Sequence, residues 1–294
     1  QNGIELLAST SGNTIGGASA NLRNIISGNN QAGIDLDSTA QNTIVQNNLI
    51  GSGANGTTAI GNTGAGITIF LGTNNTVGSN TIAFNGLDGI SLRHSVSFVG
   101  GTGNRLSSNS IFSNNGLGID LGNDGVTPND NGDGDLRANN QQNYPVITGA
   151  GVFITGTLNS TVNSTFTIEF FKQTTVDPSG FGEGTTYAGS MNVTTNGSGN
   201  ATFSYFPTTS LAPGQFITAT ATSASGDTSE FSQAFQVNGP TSANVEILGR
   251  VVSDTGRPIM RAYLTLADQN GNVHQSMTNP FGYFRFSGIP SGRT

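Results

Sequence analysis

A Gly-Ile-x-Leu/Ile box recurs five times: GIEL at Gly3, GIDL at Gly33, GITI at Gly66, GISL at Gly89 and GIDL at Gly118. The intervals are 30, 33, 23 and 29 residues. Two further boxes keep step with it. One reads NTI at Asn13, NTI at Asn42, NTV at Asn75 and NRL at Asn104. The other reads NII at Asn24, NLI at Asn48, NTI at Asn80 and NSI at Asn109. Each period therefore holds three short strands separated by Gly/Asn turns. A unit of this kind cannot bury its apolar face alone and must stack on its neighbours. The pattern predicts coils of a right-handed parallel β-helix, stacked about 4.8 Å apart. Positions 4, 6, 34, 36, 67, 69, 90, 92, 119 and 121 are expected to face one core, with Asn forming amide ladders at repeated turn positions.

Composition narrows the class. Only 9% of residues are charged and 34% are hydrophobic, with 43 glycines. That is too apolar for a disordered chain, and apolar runs broken so often by turn formers read as all-β. There is no cysteine, which excludes disulfides and thiolate metal sites. A net charge of −7 argues against nucleic acid as a partner. No apolar run is long enough to span a bilayer. No signal peptide precedes Gln1, so the numbering is read as starting on a mature product or a fragment.

Along a strand, alternation turns the x residues of the main box outward on one face: Glu5, Asp35, Thr68, Ser91 and Asp120. Glu5 and Asp35 fall side by side on adjacent coils, with Asp37 two residues on. Such carboxylates are read either as an acid pair or cation site, or as a solvated face. Arg93-His94, just past the fourth box, is a second candidate, with no carboxylate in the NT-box coils visibly joining it. The stretch NDNGDGDLRANN (129–140) is the third. Asn129, Asn131, Asp133, Gly134 and Asp135 match positions 1, 3, 5, 6 and 7 of a calcium loop. The first ligand is an amide, and position 12 is Asn140 rather than a bidentate Glu. Calcium at Asn129, Asn131, Asp133 and Asp135 therefore competes with a hydrogen-bonded cap over the last coil.

After NYPVI the register changes. Six strand-like runs between 151 and 237, with clear alternation in TFTIEFF and ITATATS, imply an antiparallel sandwich. Glu183 and Asp177 lie in its Gly-rich loop and are read as solvated. NGPTSAN (238–244) is a linker to a further unit, where His274 takes a surface role.

Resemblances agree with this division. The coils, ending in GIDLGNDGVTPNDNGDGD…NNQQNYPVI, resemble bacterial right-handed β-helix repeat proteins. FTIEFFKQTTVDPSGFGEGTTYAG…GQFITATATSASGDTSEFSQAF resembles the Ig-like modules that follow such helices. GRVVSDTGRPI, LTL and NPFGYFRFSGIPSG resemble carboxypeptidase regulatory-like, transthyretin-like sandwiches. The expected plan is a β-helix with a polar cap at 1–145, an Ig-like sandwich at 146–238, and a regulatory-like sandwich at 239–294 that stops before its closing strand.

No catalytic site emerges from the residues. The leading expectation is a non-catalytic extracellular or cell-surface structural protein: a stalk, adhesin or filament subunit needing no cofactor. The alternative is a polysaccharide-binding or polysaccharide-cleaving β-helix whose catalytic coils lie upstream. Residues 1–239 carry 14 acids and 5 bases, whereas 240–294 carry 3 and 5. That asymmetry suits head-to-tail self-association, as open strands suit strand complementation.

Overall fold

The computed structural model describes residues 1–7, 9–37, 40–95, 100–238, 244–267 and 271–290. Residues 239–243 of the expected linker lie outside that set. The described chain is all-β, a parallel β-solenoid followed by antiparallel sheets. Its residues gather in two compact units, 1–239 and 240–294.

Three parallel sheets form the solenoid. The first stacks Ile4–Leu6, Ile34–Leu36, Ile67–Phe70, Ile90–Arg93 and Ile119–Leu121. The second stacks Thr14–Gly16, Ile44–Gln46, Thr76–Gly78 and Arg105–Ser107. The third stacks Ile25–Ile26, Leu49–Ile50, Thr81–Ala83 and Ser110–Phe112. All ten predicted inward positions join one apolar cluster. Ile34, Leu36, Ile67, Ile90 and Leu121 are completely buried there, each worth roughly 1.5–3 kcal/mol of transfer free energy. The box glycine is required by close stacking. A Cβ on Gly33 would sit 2.7 Å from Gly66 O, and one on Gly89 would sit 2.6 Å from Gly118 O.

One box is displaced. In the second sheet Thr14 pairs with Ile44 and Ile15 with Val45, so Asn13 lies opposite Thr43, not Asn42. A one-residue slip exchanges faces: Val45 is buried and Ile44 is exposed. Asn42 instead occupies a left-handed turn position, φ 52°.

Asn side chains run in columns through the buried turns. In the third sheet the column is Asn24, Asn48, Asn80 and Asn109. Asn48 Nδ2 donates forward to Asn80 Oδ1 (3.1 Å) and back to Ile15 O (2.9 Å), while Asn80 Oδ1 also accepts Asn48 N (2.9 Å). Asn48 and Asn80 thus each tie together three coils. Where Thr43 interrupts the column of Asn13, Asn75 and Asn104, Asn13 Nδ2 is buried with no partner among the described residues. A further column, Asn29, Asn62, Asn85 and Asn114, bonds in the same manner at 2.7–2.9 Å.

Residues 146–238 add two antiparallel sheets. One orders Val146–Ala150, Ile154–Asn159 and Asn200–Tyr205; the other orders Thr186–Thr194, Thr165–Gln173, Phe216–Ser223 and Phe235–Gln236. Phe166, Ile168 and Phe170 enter a core shared by both sheets, where Phe170 stacks on Tyr205 with centroids 4.7 Å apart. On the opposite face of that strand Thr165 is exposed and Thr167 half-buried, but the face is covered further along. Glu169 and Phe171 are buried because they meet the last coil, and Phe171 and Phe231 belong to the solenoid's apolar cluster.

In the second unit, Asn244–Arg250 pairs with Tyr283–Pro290 and Tyr263–Ala267 with Val273–Met277, both antiparallel. Phe286 and Ile289 are buried, while Tyr263 is 83% exposed. Arg285 pairs with Glu246, and Arg250 lies over the Tyr283 ring at 5.3 Å.

Candidate functional site

The outward column of the first sheet is in register as predicted: Glu5 opposite Asp35, Asp35 opposite Thr68, Thr68 opposite Ser91, and Ser91 opposite Asp120. Its environment changes along the rod. Glu5 is exposed, Asp35 half-buried, and Thr68, Ser91 and Asp120 buried. Asp120 folds back to accept the N–H groups of Asn123 (2.7 Å), Asp124 (3.3 Å) and Gly125 (3.1 Å).

A polar groove of about 300 Å³ opens where Asp35 lies, lined by Asn2, Asn30, Gln31, Asp35, Thr68 and Arg93 among others. A second hollow of about 290 Å³ shares Asp35, Thr68 and Arg93 and adds Asp37 and Phe70. Asn2 Nδ2 donates to Asp35 Oδ2 at 3.0 Å. Burial raises the Asp35 carboxyl above the ordinary range, helped by Asp37 and Glu5, while Asn2 and Arg93 pull it down. Asp88, also within the field of Arg93, is pushed up to about 6 by burial and by Asp120. Arg93 therefore has carboxylate neighbours from the main-box sheet, because register brings coils two and four to one groove. His94 parts from it: its Nε2 lies 3.4 Å from Arg137 Nη1.

The acidic loop turns its oxygens inward. Asn129 Oδ1 accepts Tyr144 N at 2.9 Å, and Asp133 accepts Asn143 N (2.9 Å) and Ser160 Oγ (2.5 Å). Burial raises the Asp133 carboxyl. Asn131 is exposed and Asp135 half-buried. Among the described residues no three acidic or histidine side chains converge as a metal site. This loop is a clasp onto the first strand pair of the sandwich. Its share in covering the last coil is limited to Ala138, in the apolar cluster, and Asn139, which accepts Asn104 N at 3.0 Å.

The main cover is the sandwich itself, which the sequence reading did not foresee. Glu169 accepts Ser108 N (2.8 Å). Glu183 accepts Ser113 N (2.6 Å), Asn114 N (3.0 Å) and Asn114 Nδ2 (2.9 Å). Glu230 accepts Leu121 N and Thr127 N, each at 2.9 Å. Asp227 accepts Gly103 N (2.6 Å), and Thr228 Oγ1 accepts Leu106 N (3.0 Å). Ile111 and Gly184 exchange two backbone bonds as if the sheet continued. Phe171 and Phe231 close the apolar end, edge to face at 5.3 Å. Burial raises the Glu169 and Glu183 carboxyls and pushes Glu230 up to about 8. Glu183 is thus a buried seam residue, not a solvated loop residue. The only hint in the sequence was that IEFF breaks the alternation of its strand.

The sequence matches no family model and no curated protein. Among solved structures it is similar to a tetra-tandem repeat in the extending region of a large adhesion protein. The identity is 14% and the TM-score 0.22, over 50% of this chain and 40% of that one. The chain thus spans well under half of that structure. A likeness of this size carries no functional argument.

Proposed function

We propose that this chain is a non-catalytic structural protein of a cell exterior, serving as a stalk, adhesin or filament subunit. The observation that carries the reading is the seam. The apolar core, the amide column that ends at Asn114, and one sheet edge of the solenoid continue into groups of the sandwich, which makes a stiff joint rather than a hinged one. The two-sheet arrangement supports the Ig-like resemblance of 146–238. The paired strands of 244–290 support the regulatory-like one. Extracellular placement fits the cysteine-free, sparsely charged composition, and no described helix is long and apolar enough to cross a membrane.

Pulling single molecules by tethers at Asn2 and Asn238 tests the joint. The expected record is one cooperative rupture for solenoid and sandwich together. Independent ruptures at well-separated forces would remove the mechanical role. A parallel screen of acidic polysaccharides should release no product. Turnover abolished by Asp35→Asn or His94→Ala would overturn the non-catalytic reading.

A further inference from the structure

We propose that one end of the sandwich is an acceptor patch for N-linked sugar, with Asn163 and Asn196 as the modified residues. The proposal does not depend on the mechanical role. An Asn followed two residues later by Ser or Thr, with no Pro between, is the acceptor pattern for sugar transfer to a side-chain amide. Of the 25 asparagines in residues 1–145, two stand in that pattern, Asn55 and Asn74. Of the six in 146–238, five do: Asn159, Asn163, Asn192, Asn196 and Asn200. An abundance of Asn does not account for that contrast.

The fold gathers all five at one place. Asn159 pairs with Asn200 across adjacent strands, Thr167 with Asn192, and Thr165 with Thr194. The turns between those strands touch, with Asn163 N donating to Asn196 O at 3.2 Å. The hydroxyl residues of the pattern, Thr161, Thr165, Thr194, Ser198 and Thr202, are all exposed. Thr195, outside the pattern, is buried and donates to Thr161 O and Ser164 O.

Side-chain geometry separates the five. Asn159 is half-buried; its Oδ1 accepts Gly132 N (2.8 Å) and its Nδ2 donates to Asn200 Oδ1 (2.8 Å). Asn192 and Asn200 lie within strands. Asn163 is exposed in a left-handed turn position, φ 50°, and its side chain has no partner among the described residues. Asn196 is exposed and folds its Oδ1 onto Ser198 N (2.9 Å). That turn sets the amide beside the residue that carries the required hydroxyl.

The transfer takes a sugar activated as a diphosphate ester, delivered by a transferase. Nδ2 attacks C1 of the sugar. The C1–N bond forms as the C1–O bond breaks, the diphosphate leaves with the electron pair, and one Nδ2 proton passes to a base of the transferase. Nothing is oxidised or reduced. The patch also lies at the ends of two edge strands, Thr186–Thr194 and Asn200–Tyr205, neither of which has a further neighbour among the described residues. Such edges invite pairing with another chain, and a bulky, solubilising sugar at that corner obstructs it.

Glycopeptide mass spectrometry of the full chain, purified from the cells that naturally make it, tests this. Sugar should be found on Asn163 and Asn196 and be missing from Asn159, whose pattern is intact but whose amide is engaged. In the same cells Thr165→Ala should abolish sugar at Asn163 and Ser198→Ala at Asn196, while Thr165→Ser should retain it. Both positions are exposed, and circular dichroism of each variant separates lost modification from lost fold. Four results would overturn the proposal: an unmodified chain, sugar on Asn159 in place of Asn163 and Asn196, sugar on the hydroxyls in place of the amides, or modification that survives both alanine variants.

Discussion

The interior of the solenoid and its seam with the sandwich face the same problem and solve it with different chemistry. Each coil presents buried backbone N–H groups to the next. Inside the rod an Asn Oδ1 accepts them, as Asn109 accepts Asn80 N at 3.0 Å. At the seam a carboxylate accepts them, as Glu183 accepts Asn114 N at 3.0 Å. The difference lies in what each group does next. An amide also donates, so it hands the requirement to the following coil; a carboxylate only accepts. Amides propagate the stack and carboxylates end it.

Breaking a middle rung should cost most. Asn80→Leu leaves Asn48 N, Asn48 Nδ2, Val45 O and Asn109 Oδ1 short of a partner. Chemical denaturation should show a loss of about 3–5 kcal/mol. A loss below ~1 kcal/mol would mean the columns are incidental to stability. At the end of the same type of column, Glu183→Ala should cost about 2–4 kcal/mol, because three donors lose their acceptor. Glu183→Gln should cost less, since one oxygen still accepts.

The two solutions also differ in their response to pH. Amides do not titrate, whereas burial has pushed Glu230 from an ordinary value of 4.5 up to about 8. A raised carboxyl favours the folded state when protonated. Its contribution is therefore complete below about 4.5 and is lost as pH rises through about 8. Stability should fall between pH 5 and 8 by roughly a few kcal/mol, and Glu230→Gln should flatten that slope. A flat wild-type profile would place Glu230 elsewhere in the energetics.

A smaller gain tests the ladder in the opposite direction. Thr43→Asn supplies the acceptor that Asn13 Nδ2 lacks, and should stabilise by about 1 kcal/mol. The smallest effect is expected at the acidic clasp, whose Asn129 and Asp133 oxygens already accept protein donors. EDTA should leave the Tm unchanged, and a fall restored by calcium would establish a cation site there.

Periodic features were legible in the sequence, and contacts between distant segments were not. The main box located every inward Ile and Leu of the first sheet, since period-2 alternation leaves no freedom once one face is buried. The slip at Asn42 arose because Asn-Thr-Ile reads equally well one residue out of register. The column of Asn29, Asn62, Asn85 and Asn114 was present as an Asn four residues before each box glycine from Gly33 onward, yet was not recognised. Beyond the broken alternation of IEFF around Glu169, nothing local marks Glu169, Glu183 or Glu230. Their partners lie 61 to 109 residues away in the chain, and only folding defines them. The Asp35–Arg93 groove is intermediate: the outward column was predicted, but not that register would bring coils two and four to one hollow.

The amide columns also give the rod a sense of direction. In every rung the forward Nδ2 points toward the seam and the accepting carbonyl away from it. Amide dipoles placed head to tail add, as they do along a helix axis, and each polarises the next. The seam is then the electropositive pole of the solenoid, and Glu183 stands on that pole much as an acidic residue stands at a helix N-terminus. Through this alignment, a change at one rung is felt electrically along its column, beyond the coils it touches.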